Sequence, residues 1–251
     1  MIQNITSMST DCKKTVKVDL VCGFRGSGKT TLIKKLAEKV WVGERIVFLQ
    51  NEFGRETLSR MPLQSGWYVK MAQNGCLCCS GAGLLARTFL EIIEECQPDR
   101  IVMEAAETAR IESLRTMFLQ ELAGICLPEH TLYICNMKTY RKKMLISGQF
   151  FENELKQAPV IFLNHCEELP EDDRNRIIQS LQEISPGSMV LEKDWNSMEP
   201  GELQMAYKRG RRTPAHMANV LPGFGEFVYK GCRLQTGTGN YRKKSIYIYN
   251  Y

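Results

Sequence analysis

The stretch Gly23-Phe24-Arg25-Gly26-Ser27-Gly28-Lys29-Thr30-Thr31 constrains this chain more than any other. It fits G-x-x-x-x-G-K-[ST], a phosphate loop between a strand and a helix. Its setting matches: an apolar run over Val16–Cys22 enters it and an amphipathic segment leaves it. The glycines let successive N–H groups curl inward around phosphate oxygens, and the following helix adds its positive end. Gly23, Gly26, Ser27, Gly28, Lys29, Thr30 and Thr31 are therefore the expected nucleotide-binding residues. Lys29 is expected to reach the β- and γ-phosphates, and Thr30 to offer its hydroxyl to Mg²⁺, which takes oxygen ligands. The alternative is a glycine-rich turn with no ligand. Lys29-Thr30 at this spacing behind a predicted strand argues against that.

The rest of the chain repeats the same alternation. Leu32, Ile33, Leu36 and Val40 mark one helix face, closed by Gly43. Residues 45–49 read as a second strand and Trp67–Met71 as a third. A helix with Leu84, Leu85, Phe89, Ile92, Ile93 and Cys96 on its apolar side follows. Residues 100–103 form a strand ending in Glu104, and Ile111, Leu114, Met117, Phe118 and Leu122 stripe the next helix. Strands are expected at 131–135 and 159–163 with a polar helical stretch between them. A helix marked by Ile177, Ile178, Leu181 and Ile184 leads to a last strand at Met189–Leu191. The pattern specifies an α/β fold of the P-loop NTPase kind: a mainly parallel sheet with helices on both faces. The expected division is a tail over 1–16, a nucleotide-binding domain over 17–195 and an appendage over 196–251. Proline and glycine punctuate the last of these.

Composition narrows the function classes. With 43% hydrophobic and 24% charged residues, the 251-residue chain reads as ordinary globular protein. Net charge is +5, and the basic clusters at 141–143 and 208–212 lack interleaved aromatics, so they read as solvated faces and no nucleic-acid partner is expected. No apolar run reaches membrane-spanning length and no signal-peptide core appears at the N-terminus, so the expectation is a cytoplasmic protein without a membrane partner. Ten cysteines then point to free thiols, metal ligands or redox chemistry.

Four features in order resemble the CobW/HypB/UreG class of P-loop GTPases, specifically its CobW-like branch of metal chaperones. They are the loop GFRGSGKTT, the segment QNEFG at 50–54, the segment NGCLCC at 74–79, and the apolar strand ending in Glu104. The similarity covers about residues 17–192. It implies a Mg²⁺-dependent GTP-binding protein, a weak GTPase in which Glu104 holds one of the waters of Mg²⁺. Lys29, Thr30 and Glu104 would carry the catalysis. It also implies a nucleotide-dependent homodimer, and delivery of metal to a client metalloprotein or a cobalamin or corrinoid pathway.

Cys76, Cys78 and Cys79 lie close enough for one loop to turn two or three sulfurs onto one ion, Zn²⁺ or another soft to borderline transition metal. A closed zinc site wants four protein ligands, so a position stays open for Glu52, water or a client's ligand. Cys76 and Cys79 also form a C-x-x-C pair that could be a redox couple, or the cysteines could merely pack. The resemblance favours metal. Cys22, Cys96, Cys126 and Cys135 fall on apolar faces and read as core.

Two segments depart from the family pattern. Where similar chains continue from the glutamate as E-x-T-G, this one reads Glu104-Ala105-Ala106-Glu107. A carboxylate at 107 facing phosphate, at ~4 Å and an effective dielectric of about 20, costs on the order of 4 kcal/mol per like-charge pair. Glu107 could instead face solvent or orient the attacking water. Asn164-His165-Cys166-Glu167 stands where the family has its guanine-recognition motif, Asn-Lys-x-Asp. Asn164 and Glu167 keep an amide and a carboxylate, and Glu167 can accept from guanine N1–H and the 2-amino group. The altered residues leave a second reading, a nucleotide-binding regulator or adaptor that does not hydrolyse. A kinase lacks any recognisable acceptor site or lid.

Overall fold

Strand and helix alternate from the first element on: β1 (Val16–Cys22), α1 (Lys29–Lys39), β2 (Ile46–Gln50), β3 (Trp67–Met71), α2 (Ala82–Cys96), β4 (Arg100–Glu104), α3 (Ile111–Gln120), β5 (Cys126–Asn136), α4 (Tyr140–Gln157), β6 (Val160–Asn164), α5 (Glu171–Ile184), β7 (Met189–Leu191) and α6 (Pro200–Arg209). The computed structural model describes residues 15–50, 58, 66–71 and 82–211. These fall in one unit, Lys13–Arg211. The seven strands form one sheet in the order β3-β2-β4-β1-β5-β6-β7. Every neighbouring pair is parallel.

Period-two alternation divides the strands between two cores. Val18, Leu20, Val47, Leu49, Ile101, Met103, Tyr133, Ile161 and Leu163 share one cluster with residues of α2, α3, α4 and α5. Val21, Ile46, Phe48, Val102, Leu132, Ile134 and Phe162 share the other with α1 and α6. Burial on both faces is why the strands read as near-continuous apolar runs.

Several elements differ from the sequence reading. Strand β5 runs from Cys126, five residues before the expected start, because pairing with β1 extends it through Pro128, Glu129 and His130, where hydrophobicity gives no signal. Its register shifts between Val18 and Asp19. Leu84 is 44% exposed, because α2 buries the stripe Leu85, Phe89 and Ile92 instead. Residues 200–209, read as part of an appendage, form α6 and bury Leu203, Ala206 and Tyr207. Pro200 and Gly201 looked like loop punctuation, yet proline is at home in a first helical turn, and Glu199 with Glu202 completes a capping box. Cys22, Cys126 and Cys135 are buried as expected, and Cys96 is half-buried.

Candidate nucleotide site

Strand β1 sits between β4 and β5, and the strand order reverses around it. In open parallel sheets such a switch point opens a crevice beyond the carboxyl ends of the strands, and the phosphate loop leaves β1 there. Gly23 has a φ of 140°, and a Cβ would lie 2.5 Å from the Ile134 carbonyl oxygen. Gly28, which begins α1 with a φ of 103°, has its missing Cβ 2.5 Å from Asn164 Nδ2. Both positions demand glycine, for conformation and for space. No side chain caps α1 and no acid stands in its first turn, which suits the helix end to an anion.

Inside this loop Lys29 is 3% exposed, and its ammonium donates to the carbonyls of Gly23 at 2.9 Å and Phe24 at 3.2 Å. Ser27 Oγ is buried and has no hydrogen-bond partner among the described residues. An orphaned hydroxyl in a glycine cradle is what a phosphate oxygen would satisfy. Thr30 Oγ1 donates to Glu104 Oε1 at 2.8 Å, and Gln50 Nε2 donates to Glu104 Oε2 at 3.2 Å. Gln50 Oε1 in turn accepts the Leu58 N–H at 3.0 Å. The ends of β2 and β4 are thus joined under the loop. A hydroxyl and a carboxylate side by side fit a hard divalent cation such as Mg²⁺. Thr31 lies exposed in the same helical turn.

Polar groups from the far side of the sheet also hold the loop. Asn164 Nδ2 donates to the Ser27 carbonyl at 2.9 Å while its Oδ1 accepts from His165 N. Asn136 Nδ2 donates to the Gly26 carbonyl at 3.0 Å. Glu167 is exposed in the turn Cys166–Glu168 that follows β6, entered through His165 with a φ of 61°. Cys166 is buried, burial pushes its thiol up to about 12, and its N–H donates to Asp194 Oδ2 at 3.2 Å. Cys166 is therefore a poor nucleophile and a poor thiolate ligand.

Glu107 turns onto the loop. Its Oε2 accepts the backbone N–H of Arg25 at 3.0 Å and lies 3.6 Å from Lys143 Nζ. Partial burial pushes its carboxyl up, but the Arg25 N–H and the charges of Lys143 and Lys29 outweigh this and hold it below its ordinary value. Lys143 also stands 4.3 Å from the centre of the Phe24 ring, within cation–π range. The 141–143 cluster was expected to be a solvated face; Lys143 instead reaches into the site. Asn136 and Lys143 carry no motif signal, because their roles depend on partners far away in sequence.

A second group of ligand-type side chains, Asp19, Glu129 and His130, has donor atoms within 4.8 Å of one another. A protein cation already fills it. Arg100 Nη1 lies 2.8 Å from both Asp19 oxygens and 3.1 Å from Glu129. His130 Nδ1 meets Asp19 at 3.0 Å, its ring stacks on Tyr207, and the Tyr207 hydroxyl donates to Asp19 at 2.7 Å. This network fastens β4, β5 and α6 to β1. The expected transferable-metal residues, Glu52, Cys76, Cys78 and Cys79, lie outside the described residues.

The family profile described as CobW/HypB/UreG, nucleotide-binding domain, matches residues 17–192. The chain belongs to this family. It is 31% identical over 130 residues to the zinc-regulated GTPase metalloprotein activator 1 of Saccharomyces cerevisiae, a match covering 48% of this chain and 30% of that protein. It is 31% identical over 100 residues to the zinc chaperone YjiA of Escherichia coli, covering 38% and 31%. It therefore aligns with about a third of the length of each of these curated relatives. The fold is shared with the Zn(II)-bound structure of the E. coli YjiA GTPase, at a TM-score of 0.55 and 20% identity over 78% of this chain and 62% of that one.

Proposed function

We propose that this chain binds a guanine nucleotide with Mg²⁺, hydrolyses GTP slowly, and couples nucleotide state to a transferable metal, preferentially Zn²⁺, that it passes to a client metalloprotein. The observation that carries the nucleotide half is the placement of Thr30 and Glu104 in contact beneath a glycine cradle lined by the orphaned Ser27 hydroxyl. Mg²⁺, when bound, neutralises phosphate charge. Thr30 and Glu104 would hold it, Glu104 through a water. Lys29 would leave the Gly23 and Phe24 carbonyls for the β- and γ-phosphates, and the loop amides would orient the chain of phosphates. Asn164 positions the loop, and Glu167 at the rim would accept from the guanine edge.

The metal half rests on the relatives named as zinc chaperones and on topology. Strands β2 and β3, which precede Glu52 and the three cysteines in sequence, end in register, Gln50 beside Met71, on the side of the sheet where the carboxyl end of β1 delivers the phosphate loop. Gln50, two residues before Glu52 in sequence, also bonds Glu104 of the nucleotide site. Among the described residues no helix is long and apolar enough to cross a membrane. A nucleotide-dependent homodimer is part of the proposal.

Phosphate release from GTP and from ATP, measured with Mg²⁺ on metal-free and Zn²⁺-loaded protein, tests this reading. Turnover selective for GTP and altered by Zn²⁺ is expected. The contact of Glu107 with the loop favours one alternative, a nucleotide-binding regulator that does not hydrolyse. Nucleotide binding without phosphate release in either metal state would select it.

A further inference from the structure

Glu107 holds the backbone amide of Arg25, a residue of the glycine loop that forms the cradle. Arg25 is the third residue of the loop, and its N–H points at Glu107 Oε2 from 3.0 Å. Glu107 lies three residues beyond Glu104, whose carboxylate meets Thr30. Lys29 is close enough for its charge to act on Glu107, and Lys29 is the side chain that the motif sends to the β- and γ-phosphates. The carboxylate is therefore an internal anion placed against the phosphate loop, beside Arg25 and within reach of the Lys29 charge. Its own counter-ion is Lys143, 3.6 Å away on α4 and seated over the Phe24 ring.

Resting on the nucleotide reading above, we propose that Glu107 is a specificity-determining residue that sets the balance between di- and triphosphate, with Lys143 as the arm that receives it. A diphosphate can occupy the inner cradle, formed by Ser27, Gly28, Lys29 and the start of α1, while Glu107 keeps the Arg25 amide. A terminal phosphate competes for that amide and for the Lys29 charge, and like charges at this range repel strongly where water is partly excluded. Triphosphate therefore binds only as Glu107 gives up Arg25. Lys143 Nζ lies 3.6 Å from the same Oε2 oxygen, so the displaced carboxylate keeps a cation within reach. The price of triphosphate binding is this displacement, and the diphosphate state is favoured by default. The energy a ligand can shift is limited to its differential affinity for the two arrangements, so removing the charge must change the ratio of affinities.

Calorimetric titration with GDP and with a non-hydrolysable GTP analogue, in Mg²⁺, on the full chain and on Glu107→Gln, Glu107→Ala and Lys143→Met tests this. Both Glu107 variants are expected to tighten the triphosphate at least about tenfold relative to the diphosphate, equivalent to about 1.4 kcal/mol. Lys143→Met is expected to move the ratio the opposite way, because the displaced carboxylate then lacks its cation. Glutamine can still accept from the Arg25 N–H, so a shift in Glu107→Gln separates charge from hydrogen bonding. Nucleotide binding with an unchanged ratio in both Glu107 variants overturns the proposal and leaves the nucleotide reading standing. Binding of neither nucleotide by any folded form, checked by circular dichroism, removes both.

Discussion

Thr30 and Glu104, 74 residues apart in sequence, meet at 2.8 Å, joining the first turn of α1 to the last residue of β4. Parallel pairing of β1 with β4 sets Val21 in register with Glu104, which brings the carboxylate under the loop that β1 delivers. The contact is a consequence of sheet register, and it sets a hydroxyl and a carboxylate side by side, the pair proposed above to hold Mg²⁺.

Thr30→Ala and Glu104→Gln are each expected to raise the Mg²⁺ concentration needed for half-maximal nucleotide affinity by at least about tenfold. Nucleotide binding measured in excess chelator should change little. Titration of Mg²⁺ against a fluorescent guanine nucleotide reads this directly, and an unchanged Mg²⁺ midpoint in both variants would remove the pair from the cation site.

Gly28→Ala should be tolerated poorly. The substitution places a methyl group 2.5 Å from Asn164 Nδ2 in a backbone conformation that L-residues rarely adopt. Strain of this kind costs about 1–3 kcal/mol. The loop must shift and release the Ser27 carbonyl from Asn164. Nucleotide affinity and the urea midpoint should both fall. Asn164→Ala in the same chain should recover part of the stability by opening space, and no recovery would mean that backbone strain alone is responsible.

Glu154 links pH to stability. Its carboxyl is 4% exposed between α3 and α4; burial pushes it up to about 7, although it accepts the Ile111 N–H at 2.9 Å. A folded-state value above the unfolded one means that its contribution is full below the ordinary value of 4.5 and is lost as pH rises through about 7. Glu154→Gln keeps an acceptor for Ile111 without the charge. It should be more stable than the parent at about pH 8, by on the order of 2 kcal/mol, and should lose that advantage at about pH 5. Urea unfolding at the two pH values measures the difference, and parallel behaviour of the two proteins would contradict it.

Asp19 holds a buried network together. Asp19→Ala leaves Arg100, 4% exposed, with Glu44 and Glu129 but without its two bonds to Asp19. Breaking such a pair typically costs about 3–5 kcal/mol. Tyr207→Phe removes only one hydrogen bond to Asp19 and should cost about 1 kcal/mol, with nucleotide affinity unchanged. Denaturation midpoints for the two variants should therefore separate clearly. Equal losses would show that the phenol, more than the ion pair, anchors α6.

What the sequence determined by itself was local. The glycine spacing of 23–28, the apolar runs of the strands and the helical stripes each arise from interactions within a few residues, so alternation, the phosphate loop and Glu104 at a strand end were all legible. Six of the seven strands were placed to within a residue at either end, and only β5 departed further, beginning five residues early where pairing with β1 extends it. Helix α6 was missed because Pro200 and Gly201 resemble a loop until a capping box and the sheet face give Leu203 and Tyr207 somewhere to go. The tertiary structure decided what faces what. Asn164 on Ser27, Glu107 on Arg25, Lys143 over Phe24 and Asp19 within Arg100, His130 and Tyr207 join residues from 81 to 188 positions apart. No local propensity encodes such pairs; the register of parallel strands and the crossovers between them bring the groups together, and only then do charge and hydrogen bonding select their partners.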